Sequence, residues 1–249
     1  MTSSKICNHD SNLELEDVAF YGRTMLEYFL FFNAESGFSQ INHCKFFQKF
    51  DRILDCPSGA SSFVSEANKK GVNVVGCDPL FGSPAEFLMK RGIEDIEKII
   101  KKVNLSHNLY RWDFYKSPDD LKRWRKKALN RFIRDYQKHL FDKRYIKGEL
   151  PKLPFPDKSF ELVLSGHFLF TYAEKFDLEF HLSAIMELMR VSSKEVRIYP
   201  LQQGMIPTPY QHFSNLLTFL KQNKIDYEIV PVIFEFQKGS NKMLRLLCN

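Results

Sequence analysis

Four short apolar runs constrain this chain more than any other feature: "RILDC" (52–56), "VNVVGCD" (72–78), "FELVLSG" (160–166) and "EVRIYPL" (195–201). Each is the length of a strand, is bounded by turn residues and is nearly continuous in apolar character, as expected of strands buried on both faces. Helical stretches alternate with them. "SFVSEANKK" ends at Gly71, a segment from Ser83 to about Lys102 opens with Ser83, Pro84 and Glu86 as a capping box, and "DLEFHLSAIMELMR" precedes the last of the four. Strands alternating with helices specify an α/β fold with a parallel sheet covered on both sides. A further strand is expected at "RYIKGEL". The chain closes with a helix near 209–223 and two β-rich runs, "YEIVPVIFEF" and "KMLRLLC", joined by "QKGSN" as a hairpin. An amphipathic stretch over 16–33 precedes the first strand. At 249 residues and 44% hydrophobic, the chain can bury one large core. The expectation is a single domain over 1–249, with an N-terminal helical cap (1–50) and a helical insertion (103–144).

That insertion carries the charge. Residues 116–147 hold 12 Lys/Arg against 4 Asp/Glu, a local excess of +8 in a chain of net charge +6, which leaves the remainder at −2. Ser117 as N-cap, Pro118 in the first turn and acids after it begin a helix here. Leu121, Trp124, Ala128, Phe132, Tyr136 and Leu140 form its buried stripe, with the lysines and arginines outward. A solvated basic face explains this pattern better than a nucleic-acid site, because the stripe already accounts for the aromatic residues.

Five scattered cysteines (Cys7, Cys44, Cys56, Cys77, Cys248) without a CxxC pair argue against a disulfide framework or a metal site and fit a reducing cytoplasm. The N-terminus is polar and acidic, and no run reaches the ~20 apolar residues of a membrane helix.

The first strand runs into "CPSGAS", a tight turn with one glycine, Gly59. Dinucleotide-binding turns use three, and here Pro57 and Ser61 or Ser62 stand where close backbone approach to a pyrophosphate needs glycine. Asp78 ends the second strand 23 residues after Asp55, the spacing at which a carboxylate can accept from a ribose diol; capping of the turn before Pro79 is the alternative role.

The stretch "GELPKLPFPDKSFELVLSGHFLF" (148–170), with "ILDCPSGASSF" and "VVGCDP" before it in order, resembles the class I S-adenosylmethionine-dependent methyltransferases of small-molecule type over about 50–80 and 145–201. The resemblance implies a Rossmann-like seven-stranded, mostly parallel sheet with an antiparallel final strand supplied by the C-terminal hairpin. It implies that Asp55 orients the methionine amino group, that Pro57, Ser58 and Gly59 form the turn beneath it, and that Asp78, followed by Pro79, binds the ribose. Glu149 and the Leu150 amide would face the adenine, with Glu149 standing where the family usually has Asp. Ser165 and His167 would lie near the methionine and the acceptor.

For an acceptor whose proton must leave, His167 is the first base by position and Tyr172 the second; hydrogen bonding of the histidine to neighbouring backbone is the competing role. His181, beside an apolar stripe, and the thiols of Cys56 and Cys77 read as core. Arg23 reaches the cofactor carboxylate if the N-terminal helix folds over the site, and otherwise is a surface residue. The expected acceptor is a small molecule, anionic if the basic helix lies over the site. In that arrangement Trp112 and Tyr115 form the pocket mouth; in the other, the insertion packs beneath the sheet. Two further readings stay open: a cofactor-binding protein without transfer activity, and an enzyme acting on RNA or protein through the basic helix. A nicotinamide oxidoreductase fits least.

Overall fold

A computed structural model describes residues 17–33 and 43–248; the polar N-terminus with Cys7 and the start of the amphipathic stretch at residue 16 lie outside the described residues. Seven helices are described: α1 (Met25–Phe32), α2 (His43–Phe47), α3 (Phe63–Asn68), α4 (Ala85–Leu105), α5 (Pro118–His139), α6 (Leu178–Val191) and α7 (Phe213–Gln222). The strands are β1 (Ile53–Asp55), β2 (Val74–Asp78), β3 (Tyr145–Lys147), β4 (Phe160–Gly166), β5 (Ser192–Tyr199), β6 (Gln202–Gln203), β7 (Thr208–Pro209), β8 (Asp226–Pro231) and β9 (Lys242–Leu247).

Seven strands form one sheet in the order β3-β2-β1-β4-β5-β9-β8, while β6 and β7 pair separately. β1 to β5 are parallel, and β9 runs antiparallel between β5 and β8. This is the Rossmann-like sheet expected from the sequence. Strand alternation divides the core: Ile53, Val74, Leu162 and Leu164 face one hydrophobic cluster with α1 to α5, and Leu54, Val75, Val163 and Val196 face a second with α6 and α7. Between β1 and β4 the chain reverses its order along the sheet, which opens a crevice at the strands' C-terminal ends.

Several local expectations change. α4 begins after Pro84, and no side chain caps it, so Ser83 does not form a capping box. The C-terminal hairpin connection is the longer segment 232–241, and the helix expected near 209–223 begins later, at Phe213, because Pro209 belongs to β7. The α5 stripe also shifts. Trp124 and Leu140 are half-buried, whereas Arg125, expected outward, is 2% exposed.

Arg125 is turned inward because Glu27 meets it. Thr24 and Glu27 form a reciprocal capping box at the start of α1, and the Glu27 carboxylate also accepts from Arg125 and from the Tyr115 hydroxyl. Arg125 donates as well to the Gly22 carbonyl at 3.2 Å and to Tyr115 Oη at 2.7 Å. Burial pushes the Glu27 carboxyl upward, but Arg125 and the Tyr115 hydroxyl outweigh it and hold it below its ordinary value. The N-terminal segment is thereby fixed to the insertion.

Removing one partner strands a buried charge, so Arg125→Leu should destabilise the protein by about 3–5 kcal/mol in urea denaturation, and Glu27→Leu/Arg125→Leu together should cost less than Arg125→Leu alone.

Candidate active site

A cavity of about 490 Å³ lies at the C-terminal ends of the strands, lined by segments after β1 (Cys56 to Gly59), β2 (Asp78 to Leu80), β3 (Gly148 to Leu150) and β4 (Gly166 to Phe168), and by Tyr199 of β5. The single glycine is required where it stands. Gly59 has φ +54°, and a Cβ there would also come within 3.3 Å of the Tyr21 carbonyl oxygen. The Ser58 amide donates to the Cys77 carbonyl at 2.9 Å and the Gly59 amide to Asp78 Oδ2 at 2.8 Å, binding the turn to the next strand. Asp78 Oδ1 accepts from the Leu80 amide at 3.0 Å. Asp78 therefore caps its own turn, one of the two roles considered for it, and still lines the cavity.

Of the residues singled out from sequence, Pro57, Ser58, Gly59, Asp78, Pro79, Glu149, Leu150, His167 and Tyr172 meet in this cavity. Asp55 and Ser165 do not line it. Both are completely buried, and Asp55 stands one layer behind, accepting from Tyr28 Oη at 2.8 Å and Ser58 Oγ at 2.7 Å, two residues that line the cavity in its place. Desolvation raises its pKa to about 7 against the opposing pull of those hydroxyls, and raises that of Asp78 to about 6.

His167 sits just past β4 with φ +54°, a conformation costly for a side-chain-bearing residue and common at functional sites. Its amide donates to the Tyr199 carbonyl, but its ring Nδ1 is buried with no partner. Burial, then Arg23 and Arg125, push the imidazole well below its usual value, so it is neutral at physiological pH. Tyr172 has a structural bond: its hydroxyl accepts from the Ala19 amide at 3.0 Å. His181 is core, its ring nitrogens facing the Asp177 and Leu169 carbonyls, and Cys56 and Cys77 are buried, though Cys56 reaches the cavity wall.

Residues 17–23 form a strap across the cavity that the sequence did not reveal. The Phe20 amide donates to Asp95 Oδ2 at 2.8 Å, and Arg91 of α4, ion-paired to Asp95 at 2.7 Å, also bonds the Val18 carbonyl. The strap is thus held by α4 on one side and by Tyr172 on the other. Gly22 presses against the turn so closely that a Cβ would fall 1.9 Å from the Ala60 carbonyl oxygen. Arg23 lines the cavity instead of the surface, its guanidinium 5.5 Å from the Tyr21 ring centroid and 5.9 Å from that of Phe31. Burial lowers its pKa, and it forms no ion pair with a carboxylate of the described residues.

The insertion reaches the site, by a route other than the expected one. α4 stays beside the cavity, lining it with Arg91, Ile99 and Val103, and α5 contributes no lining residue, so the basic face is not part of the pocket. Tyr110 of the connecting segment lines the cavity together with Phe236 of the 232–241 loop. Trp112 stacks on His107 and Tyr115 joins the Glu27 cluster, so neither forms the mouth. Among the described residues no group of three or more His, Cys, Asp or Glu is placed to hold a metal, and no helix is long and apolar enough to cross a membrane.

Fold and site define a Rossmann-like α/β protein with an aromatic-walled cavity at the point where the strand order reverses. The chain belongs to the family of the uncharacterized protein MJ0045 of Methanocaldococcus jannaschii, to which it is 32% identical over 233 residues, 93% of this chain and 97% of that protein. No protein-family model matches it. Among solved structures it is similar to a SAM-dependent methyltransferase from Aquifex aeolicus, at 15% identity over 79% of this chain and 80% of that one, with a TM-score of 0.37. It is also similar to magnesium protoporphyrin IX methyltransferase from Synechocystis PCC 6803 with bound SAM, at 11% identity over 86% and 87%, with a TM-score of 0.39.

The buried acids give this site a pH signature. Because folding raises the pKa of Asp55 to about 7, the folded chain holds that proton more tightly than the unfolded chain; the resulting stabilisation is full below the ordinary carboxylate range and is lost as pH rises through about 7. The depressed His167 acts with the opposite sign, so the test is a difference. In thermal melts of unliganded protein, Asp55→Asn should gain stability relative to the parent between about pH 5 and about pH 8.

Proposed function

We propose that this protein binds S-adenosylmethionine in the described cavity and transfers its methyl group to a small-molecule acceptor. The observation that carries this reading is the presence in the same cavity of Asp78, which holds the one-glycine turn, and a half-buried Arg23 that has no carboxylate partner among the described residues. The cofactor, when bound, supplies a methyl group already activated on a sulfonium; it has a ribose diol, a carboxylate and an adenine to recognise, and no phosphate.

The residues present fit those groups. Asp78 keeps lone pairs for a ribose diol beyond its two backbone bonds. Arg23 offers a guanidinium fork to a carboxylate, which would neutralise a charge that is otherwise costly to bury. Glu149, exposed at the cavity rim, and the Leu150 amide are the candidates for the adenine edge. Asp55 acts through Ser58 and Tyr28, whose hydroxyls donate to it and are thereby held in place beneath the methionine portion.

The remaining work falls to positioning and exclusion of water. The strap and the Tyr110–Phe236 pair close the cavity, and neutral His167 accepts a hydrogen bond from the acceptor or takes its proton. An enclosed cavity favours a small acceptor over RNA or protein, and the basic face of α5 lies away from it.

Isothermal titration should show S-adenosylmethionine binding, with Asp78→Ala and Arg23→Met each costing about 1.5–3 kcal/mol, as for hydrogen bonds to charged groups. Unchanged affinity in both would remove the assignment. Incubation of size-fractionated cell extract with methyl-labelled cofactor should place the label in the low-mass fraction; label mainly in RNA or protein would refute the choice of acceptor.

A further inference from the structure

The part of the cavity away from the β1 turn has a chemistry of its own. Phe168, Phe176 and Phe180 form one aromatic group, with Phe176 stacked on Phe180 at 4.2 Å and Phe168 at 5.4 Å from Phe176. Tyr110 stacked on Phe236 at 4.7 Å forms another. The polar groups among these rings are largely taken. The Tyr172 hydroxyl is bonded to the strap, Gln237 Nε2 donates to the Met205 carbonyl at 2.6 Å, and Tyr199 Oη donates to the Ser240 carbonyl at 2.6 Å. Two buried side-chain atoms of cavity-lining residues have no partner among the described residues: His167 Nδ1 and Thr171 Oγ1.

This lining selects its ligand. A sugar or a peptide carries more donors and acceptors than the wall can satisfy, and each unmatched buried polar group disfavours binding. Exposed ring faces prefer another ring, stacked or edge-on, to a saturated skeleton of equal area. An anionic group finds little here once Arg23 is given to the cofactor carboxylate as proposed above, because Arg91 is paired to Asp95 and α5 does not reach the cavity. The strap, bonded on both flanks, excludes a macromolecule. The geometry points to a small, uncharged, planar aromatic hydroxy compound, with its ring among the aromatic side chains and its hydroxyl at Thr171 and His167. That this ligand is uncharged, and that it is the methyl acceptor, rests on the function proposed above; its aromatic selectivity does not.

The test uses 2-naphthol and its saturated counterpart, decahydro-2-naphthol, titrated calorimetrically into the full chain with and without S-adenosylhomocysteine. The expected result is 2-naphthol binding at least about tenfold tighter than the saturated alcohol. Thr171→Val should weaken 2-naphthol about fivefold or more and leave naphthalene unchanged, since the isosteric side chain lacks only the hydroxyl. Equal affinity for the two alcohols, or no binding of 2-naphthol in either condition, would overturn the inference. The two readings separate cleanly. Binding of 2-naphthol without any binding of S-adenosylhomocysteine would sustain this inference and remove the cofactor, and the reverse pattern would sustain the cofactor and remove this inference.

Discussion

The buried contact of Glu27 with Arg125 is the joint on which the upper half of the molecule depends. Two charges withdrawn from water are tolerable only when each satisfies the other and the remaining lone pairs and protons find partners. Here Thr24, Tyr115 and the Gly22 carbonyl supply those partners, all but one of the polar atoms being met: Arg125 Nε has none among the described residues. The pair joins the N-terminal segment to the insertion across 98 residues of sequence, and with the strap's bonds to α4 and Tyr172 it gives the sheet crevice a roof. Without that roof, the strand ends would open to solvent.

Beneath it, topology decides where a ligand goes. Reversal of strand order between β1 and β4 leaves the two connecting turns pointing apart, and the cavity fills the gap. The turn after β1 is held by β2 through Asp78 and rests on β1 through Ser58 and Asp55, so its shape is fixed before any ligand arrives. Burial that raises both carboxyl pKa values is the cost of that rigidity, and it places the charge-sensitive groups next to the cavity instead of in the outer shell.

The sheet was legible because its evidence is local. "FELVLSG" is β4 in full, and β2, α6 and the C-terminal hairpin follow directly from continuous apolar runs and helical periodicity. The turn residues and Asp78 were legible for the same reason, since strand, turn and acid occur in a fixed order along the chain. Arg125 was misplaced because nothing near it in sequence shows that Glu27 will be its neighbour, and a basic residue in a basic helix defaults to solvent. The strap was missed because residues 17–23 have no periodicity to read; the one available signal was Gly22 between bulky neighbours in "FYGRT", which marks a close backbone approach. Tyr110 was missed in favour of Trp112 because the path of α4 depends on packing that the pattern of α4 alone does not encode.

The strap has a kinetic meaning as well as a structural one. It spans a cavity large enough for two molecules to share, and both proposed ligands would pass the same gate. Entry beneath such a strap would require the bonds from Ala19 and Phe20 to Tyr172 and Asp95 to come apart, which ties the pace of exchange to the strength of those two contacts.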